Sequence, residues 1–223
     1  MASPQRGNEQ GTIVGLSVPC ARQTRLSGRS SRLCWAVAGL VAMGLLVLAA
    51  GCRPPSKEPQ LLMDESVASD FQALATDTWT EFLAVFQARS ACFGDVRLRA
   101  TRTLDSRAVY DPDTATVTVR VPGTPALLQG ALVHEWAHHI EFQCAEHQQL
   151  RPAFLAALGV SPDTPWRPES SRLDAATDGS KAIPSEQYAE AAIVLVLGRR
   201  QITTGVPITQ EAISTLGEWA AGD

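Results

Sequence analysis

From Leu33 to Cys52 the chain runs LCWAVAGLVAMGLLVLAAGC, twenty residues without a charge. A run so uniformly apolar is no surface helix, and it is long enough to enter a bilayer. It divides the 223 residues into a short lead and a body the size of one domain. The charge divides at the same place. Residues 1–51 hold five Arg (Arg6, Arg22, Arg25, Arg29, Arg32) against Glu9 alone, whereas residues 52–223 hold 14 Lys+Arg against 22 Asp+Glu, a net −8. A body of that charge with scattered arginines is a poor match to a phosphate backbone, so no nucleic-acid partner is expected. At 45% hydrophobic and 19% charged residues, the chain is neither disordered, collagenous nor polytopic.

A basic lead, an apolar stretch and small residues at its end have the pattern of a secretory signal. Leu48-Ala49-Ala50-Gly51-Cys52 resembles the lipobox of bacterial lipoproteins. That resemblance implies removal of residues 1–51 and lipidation of Cys52. The body would then be extracytoplasmic, anchored to the bacterial cell membrane through its N-terminal lipid. An uncleaved anchor is the other reading, since twenty apolar residues can just span a bilayer. Cys20 and Cys34 lie in the part removed, which leaves Cys92 and Cys144. An even pair in an oxidising compartment is expected to form a disulfide, with two buried thiols as the alternative.

Residues 52–63 begin RPPSKEPQ after the cysteine and read as a polar, Pro-rich tether, leaving 64–223 as one domain. From Asp64 to about Gln87, Val67, Phe71, Leu74, Trp79, Phe82, Leu83 and Phe86 recur at helical spacing. Val96–Leu104 and Ala115–Val121 alternate, and Val109-Tyr110 leads into the turn sequence Asp111-Pro112-Asp113-Thr114. Three short antiparallel strands are expected there. Thr124-Pro125 supplies an N-cap and a first-turn proline for a long helix to about Gln149. A short helix over Pro152–Leu158 follows, then an irregular Pro-rich loop over Val160–Pro184. Ser185 is expected to cap a helix to about Leu197, and Pro207–Ala220 to form the last one. The fold class is therefore α+β: a meander packed on a long helix.

Inside the long helix stands His134-Glu135-Trp136-Ala137-His138, the HExxH pattern of zinc peptidases. Residues i and i+4 share a helix face, so both imidazoles can reach one ion. Glu135 falls beside that ion, where it can take a proton from a metal-activated water as general base. A catalytic zinc needs a third protein ligand. The metzincin extension is excluded, because Cys144 stands where its third His belongs and Glu141 where it has Gly.

Downstream, Pro184-Ser185-Glu186-Gln187-Tyr188-Ala189-Glu190-Ala191-Ala192 resembles the second metal-ligand helix of gluzincins. It is particularly similar to the small catalytic domain of anthrax lethal factor and its relatives. The resemblance covers about Leu128–Ile193. It implies a zincin-like metallopeptidase domain with one Zn2+, Glu186 as the third ligand, Glu190 as the carboxylate supporting a ligand His, and a peptide or protein as substrate. Independently, Glu186 and Glu190 lie i, i+4 on one face, and a ligating imidazole wants a carboxylate on its other nitrogen. An exposed acidic face is the alternative for this pair.

One element departs from the family. Its tyrosine about two turns before the third ligand, an oxyanion donor, is replaced near that place by Gly179 and Ser180, and the chain has only Tyr110 and Tyr188. Asp174, Asp178 and, less so, Glu169 are rival third ligands from the loop. His139 is expected to support the site or lie at the surface, and His147 to be polar decoration. Trp166 and Arg167 either wall a cleft or pin the loop to the core. In zincins an edge strand holds the substrate backbone, and Ala115–Val121 is the strand nearest the zinc helix in sequence. A non-catalytic zinc-binding surface lipoprotein with a degenerate site, and an interaction module with an accidental motif, are the two other functional readings.

Overall fold

The computed structural model describes residues 58–167, 183–200 and 205–222. All of these fall in one compact unit, Pro55–Asp223. The expected signal, Cys52 and the start of the tether lie outside the described residues, as do Glu169, Asp174, Asp178, Gly179 and Ser180. Among the described residues no helix is long and apolar enough to cross a membrane.

The class is α+β. In chain order the elements are β1 (Leu61–Met63), α1 (Ser69–Val85), a short 3₁₀ turn at Gln87–Arg89, α2 (Ser90–Phe93), β2 (Val96–Thr101), β3 (Ala108–Asp111), β4 (Thr116–Arg120), α3 (Pro125–Gln143), α4 (His147–Ala157), α5 (Pro184–Leu197) and α6 (Gln210–Ala221). Leu61–Met63, expected to end the tether, instead pairs with Val96–Leu98 as a fourth strand.

The sheet order is β1-β2-β4-β3. This corrects the antiparallel meander. Only β3 and β4 run antiparallel, with Tyr110 opposite Val117, while β2 runs parallel to both β1 and β4. Alternation along a strand decides which face is buried but not which strand lies alongside. Here β4 enters between β2 and β3, so the β2–β3 connection carries β3 to the outer edge. The β3–β4 turn forms as its sequence dictates: Asp111 accepts from the Asp113 backbone N–H at 3.0 Å and from the Thr114 hydroxyl at 2.7 Å.

Val96, Leu98, Tyr110, Val117 and Val119 are buried, while Arg97, Arg99 and Asp111 between them are not. The buried row joins an aromatic core in which Trp79 and Phe82 of α1 meet Trp136 of α3 at 4.9 and 5.5 Å. Thr124 caps α3 by accepting from Leu127 N–H, with Pro125 at the first position.

The long helix ends earlier than its sequence pattern. Cys144 turns to extended backbone (φ −96°, ψ 107°) and is disulfide-bonded to Cys92, so the expected bridge is formed. A new helix starts at His147 and runs through Pro152, which had been expected to open it. Ser185 is not the cap of α5 either: Ile183 holds that place with Pro184 in the first turn, and the Ser185 side chain is buried. Gly198 closes α5 in the left-handed region, at φ 72°.

Candidate metal centre

α3 is buried nearly all round from Ala131 to Glu141. Such a helix cannot carry polar side chains unless each finds a partner. His139, expected to support the site or lie at the surface, is completely buried. One ring nitrogen bonds the Tyr110 hydroxyl at 2.9 Å and the other the Gly94 carbonyl at 3.3 Å, so it fastens α3 to the sheet edge. Burial holds its pKa below the usual range.

His134 and His138 turn toward α5, their ring centroids 4.8 Å apart. Their Nε2 atoms are 3.2 Å apart; Glu186 Oε2 is 3.2 Å from the first and Glu186 Oε1 is 3.5 Å from the second. Four-coordinate zinc with nitrogen and oxygen ligands near 2.0–2.1 Å separates neighbouring ligand atoms by about 3.3 Å. The three side chains therefore fit one small ion in both donor type and spacing. The Cys92, Cys144 and Glu146 cluster does not, because its sulfurs are bonded to each other.

Each candidate ligand histidine also meets a carboxylate on its far nitrogen. His134 Nδ1 lies 3.5 Å from Glu190 Oε1, one turn after Glu186, as expected for a supporting acid. His138 Nδ1 lies 2.9 Å from Glu141 Oε2. Burial alone would lower the pKa of His134, but its bonds to Glu186 and Glu190 prevail and hold it up to about 10. Burial works against the charge of Glu186 too, and the two imidazoles overcome it, keeping the carboxyl well below the carboxylate range.

Sequence reasoning missed Glu141, and it gave Arg167 only as a cleft wall or loop pin, not as the partner of Glu141. Trp166 donates its indole N–H to Glu141 Oε1 at 2.8 Å; Arg167 donates Nε to the same oxygen and Nη2 to Oε2, each at 2.7 Å. Burial would raise the pKa of Glu141, but Arg167 and His138 hold it down to about 2. The signal was available: Glu141 stands one turn after His138, where a ligand histidine's carboxylate can sit. Trp166 pins the loop end to the core, packing edge-on against His147 and Phe154 and tilted against Tyr188. The guanidinium of Arg167 lies over the Phe142 ring at 4.7 Å.

A cleft of about 230 Å³ opens beside His134 and Glu135, between α3, α5 and β3. Glu135 is only 8% exposed, and burial raises its pKa against the opposing pull of His134 and His138. Neither tyrosine lines this cleft. Tyr188 is buried on the other side of α5, 4.6 Å from His147, and Tyr110 is bonded to His139 and Gln143. The strand expected to hold substrate is also corrected. β4 is paired on both sides, whereas β3 has a free edge among the described residues and contributes Ala108 to the cleft. Set beside protein-family models, curated proteins and solved structures, the chain matches none of them.

Proposed function

We propose that this chain is a zinc-dependent metallopeptidase of gluzincin type, with a zincin-like domain held outside the cytoplasm by a lipid on Cys52. The observation that carries the reading is the convergence of His134 Nε2, His138 Nε2 and the Glu186 carboxylate at 3.2–3.5 Å, with buried Glu135 on the adjoining cleft. When bound, a zinc ion supplies Lewis acidity that acidifies water and polarises a carbonyl. Glu190 and Glu141 hold the two imidazoles with their Nε2 lone pairs turned inward. A peptide lies along the free edge of β3 and presents its scissile carbonyl at the cleft. Glu135, its carboxyl made more basic by burial, takes a proton from the attacking water and delivers it to the leaving amine.

Two measurements test this. The full chain purified without added metal should hold about one zinc, and Glu135→Gln should keep the zinc while losing hydrolysis by at least about a hundredfold, the low end of general-base catalysis. Retained cleavage in that variant would reject the mechanism. For the anchor, fatty-acid labelling of the full chain should disappear in Cys52→Ser.

The location of both tyrosines away from the cleft favours a second reading, a zinc-binding lipoprotein without turnover. One zinc per chain with no cleavage across a broad peptide pool would select it.

A further inference from the structure

The cleft continues from His134 toward the N-terminal end of α3, away from the metal-ligating atoms. Its floor there is Ala126 and Gly130, two turns and one turn before His134 on the same face. A glycine inside a helix costs about 1 kcal/mol relative to alanine, so it needs a reason. Packing does not provide one: a Cβ built on Gly130 would meet nothing within 4 Å. The glycine keeps open a space that no described residue fills.

The walls of that space are small and apolar (Ala108 and Ala131, with Ile193 across from them) and its rim is charged. Arg200 at the rim is tied down, donating to the Val206 carbonyl at 2.6 Å and lying 3.8 Å from Glu190. Arg107, just before edge strand β3, is exposed at the opposite rim, and its guanidinium makes no hydrogen bond or ion pair with a described residue. A narrow apolar neck ending at a solvated guanidinium suits the short methylene stem and carboxylate of an acidic side chain.

We infer that this part of the cleft is a substrate subsite for a Glu or Asp side chain of the bound peptide, with Gly130 giving it depth and Arg107 receiving the carboxylate. The inference deepens the peptidase reading and rests on it for the term substrate.

The test uses the zinc-loaded full chain and a peptide pool with all side chains equally represented, its cleavage products sequenced by mass spectrometry. Glu and Asp should be enriched about fivefold at one position beside the cut, the upper range for a solvent-exposed ion pair. Arg107→Glu should replace that preference by Lys and Arg at the same position, and Gly130→Leu should restrict the position to Gly and Ala, both with zinc content unchanged. Cleavage without acidic enrichment, or the same enrichment in Arg107→Glu, overturns the inference and leaves the peptidase reading intact. A second readout needs no turnover. In Glu135→Gln, fluorescence anisotropy should find a Glu-containing decapeptide bound about fivefold tighter than its Gln counterpart, and Arg107→Gln should abolish the difference. Equal binding of the two peptides overturns the subsite; a retained difference with no cleavage by the parent chain keeps the subsite and rejects the peptidase.

Discussion

Glu141 is nearly inaccessible, yet it bears four hydrogen bonds or ion contacts, from His138, Trp166 and both sides of the Arg167 fork. A carboxylate so held fixes the ring of His138 and turns Nε2 toward Glu186. Removing it takes the carboxylate away from the partly buried Arg167 cation and leaves His138 Nδ1 facing only Arg167 Nη2, 2.8 Å away. Glu141→Ala should therefore weaken zinc binding by roughly 10–100-fold. Competition against a chromogenic chelator measures this, and Glu141→Gln, which keeps an acceptor for the ring, should recover part of the loss. An unchanged zinc affinity would mean that Glu141 only fastens the Trp166–Arg167 loop end. His134, Glu135 and His138 were legible because helical spacing alone aligns them. The pairing of Arg167 with Glu141 was not, since nothing in a Pro-rich loop says where its end returns to the domain.

At the level of elements, the bridge between Cys92 and Cys144 joins the end of α2 to the residue that terminates α3, across a sequence separation of 52. Closing a loop of that length removes chain entropy from the unfolded state worth about 4 kcal/mol. Cys92→Ser with Cys144→Ser should lower stability by roughly 2–4 kcal/mol, read as a shift in denaturant midpoint. The pair should also lose helical signal, because α3 and α4 then lack the tie at their junction. The same junction explains why the sequence pattern overran the helix. Apolar periodicity passes through Cys144 without interruption, and only the bond to Cys92 and the extended backbone there stop it. In the sheet, alternation marked Val96–Leu104 and Ala115–Val121 as strands, and the structure buries Val96, Leu98, Val117 and Val119 on one face; the pairing of β4 with β2 needed the β2–β3 connection to be seen in space.

Across the whole molecule, His147 is enclosed by Trp166, Tyr188 and Trp219 at ring distances of 4.6–5.8 Å, so α4, α5, α6 and the loop end all meet on it. It was expected to be polar decoration; instead it is fully buried, with neither ring nitrogen hydrogen-bonded to a described residue. Burial lowers its pKa to about 3, against a raising pull from Glu141 and with Arg151 adding to the fall. The unfolded chain takes up this proton near pH 6.5 and the folded chain only near pH 3, so the contribution of His147 to stability is complete above 6.5 and declines as pH falls through that window. The loss is on the order of 5 kcal/mol at its limit. Glu141, held down to about 2, adds a further decline below pH 4.5. Thermal unfolding from pH 7 to pH 4 should show a steep drop in Tm, much reduced in His147→Phe; equal slopes in the two proteins would remove His147 as the cause.

What the sequence by itself determined is local. The N-cap and proline of α3, the strand alternation and the turn at Asp111–Thr114 follow from residues a few positions apart, and so does the alignment of His134 with His138 or Glu186 with Glu190. Only the tertiary structure decided what requires distant segments to share space. It brings Glu186 within 3.2 Å of His134 across 52 residues, returns Arg167 to Glu141, moves β3 rather than β4 to the sheet edge, and makes His147 a core residue. Helical and pleated periodicities fix which side of an element is apolar; the partner that covers it is chosen by packing the whole chain.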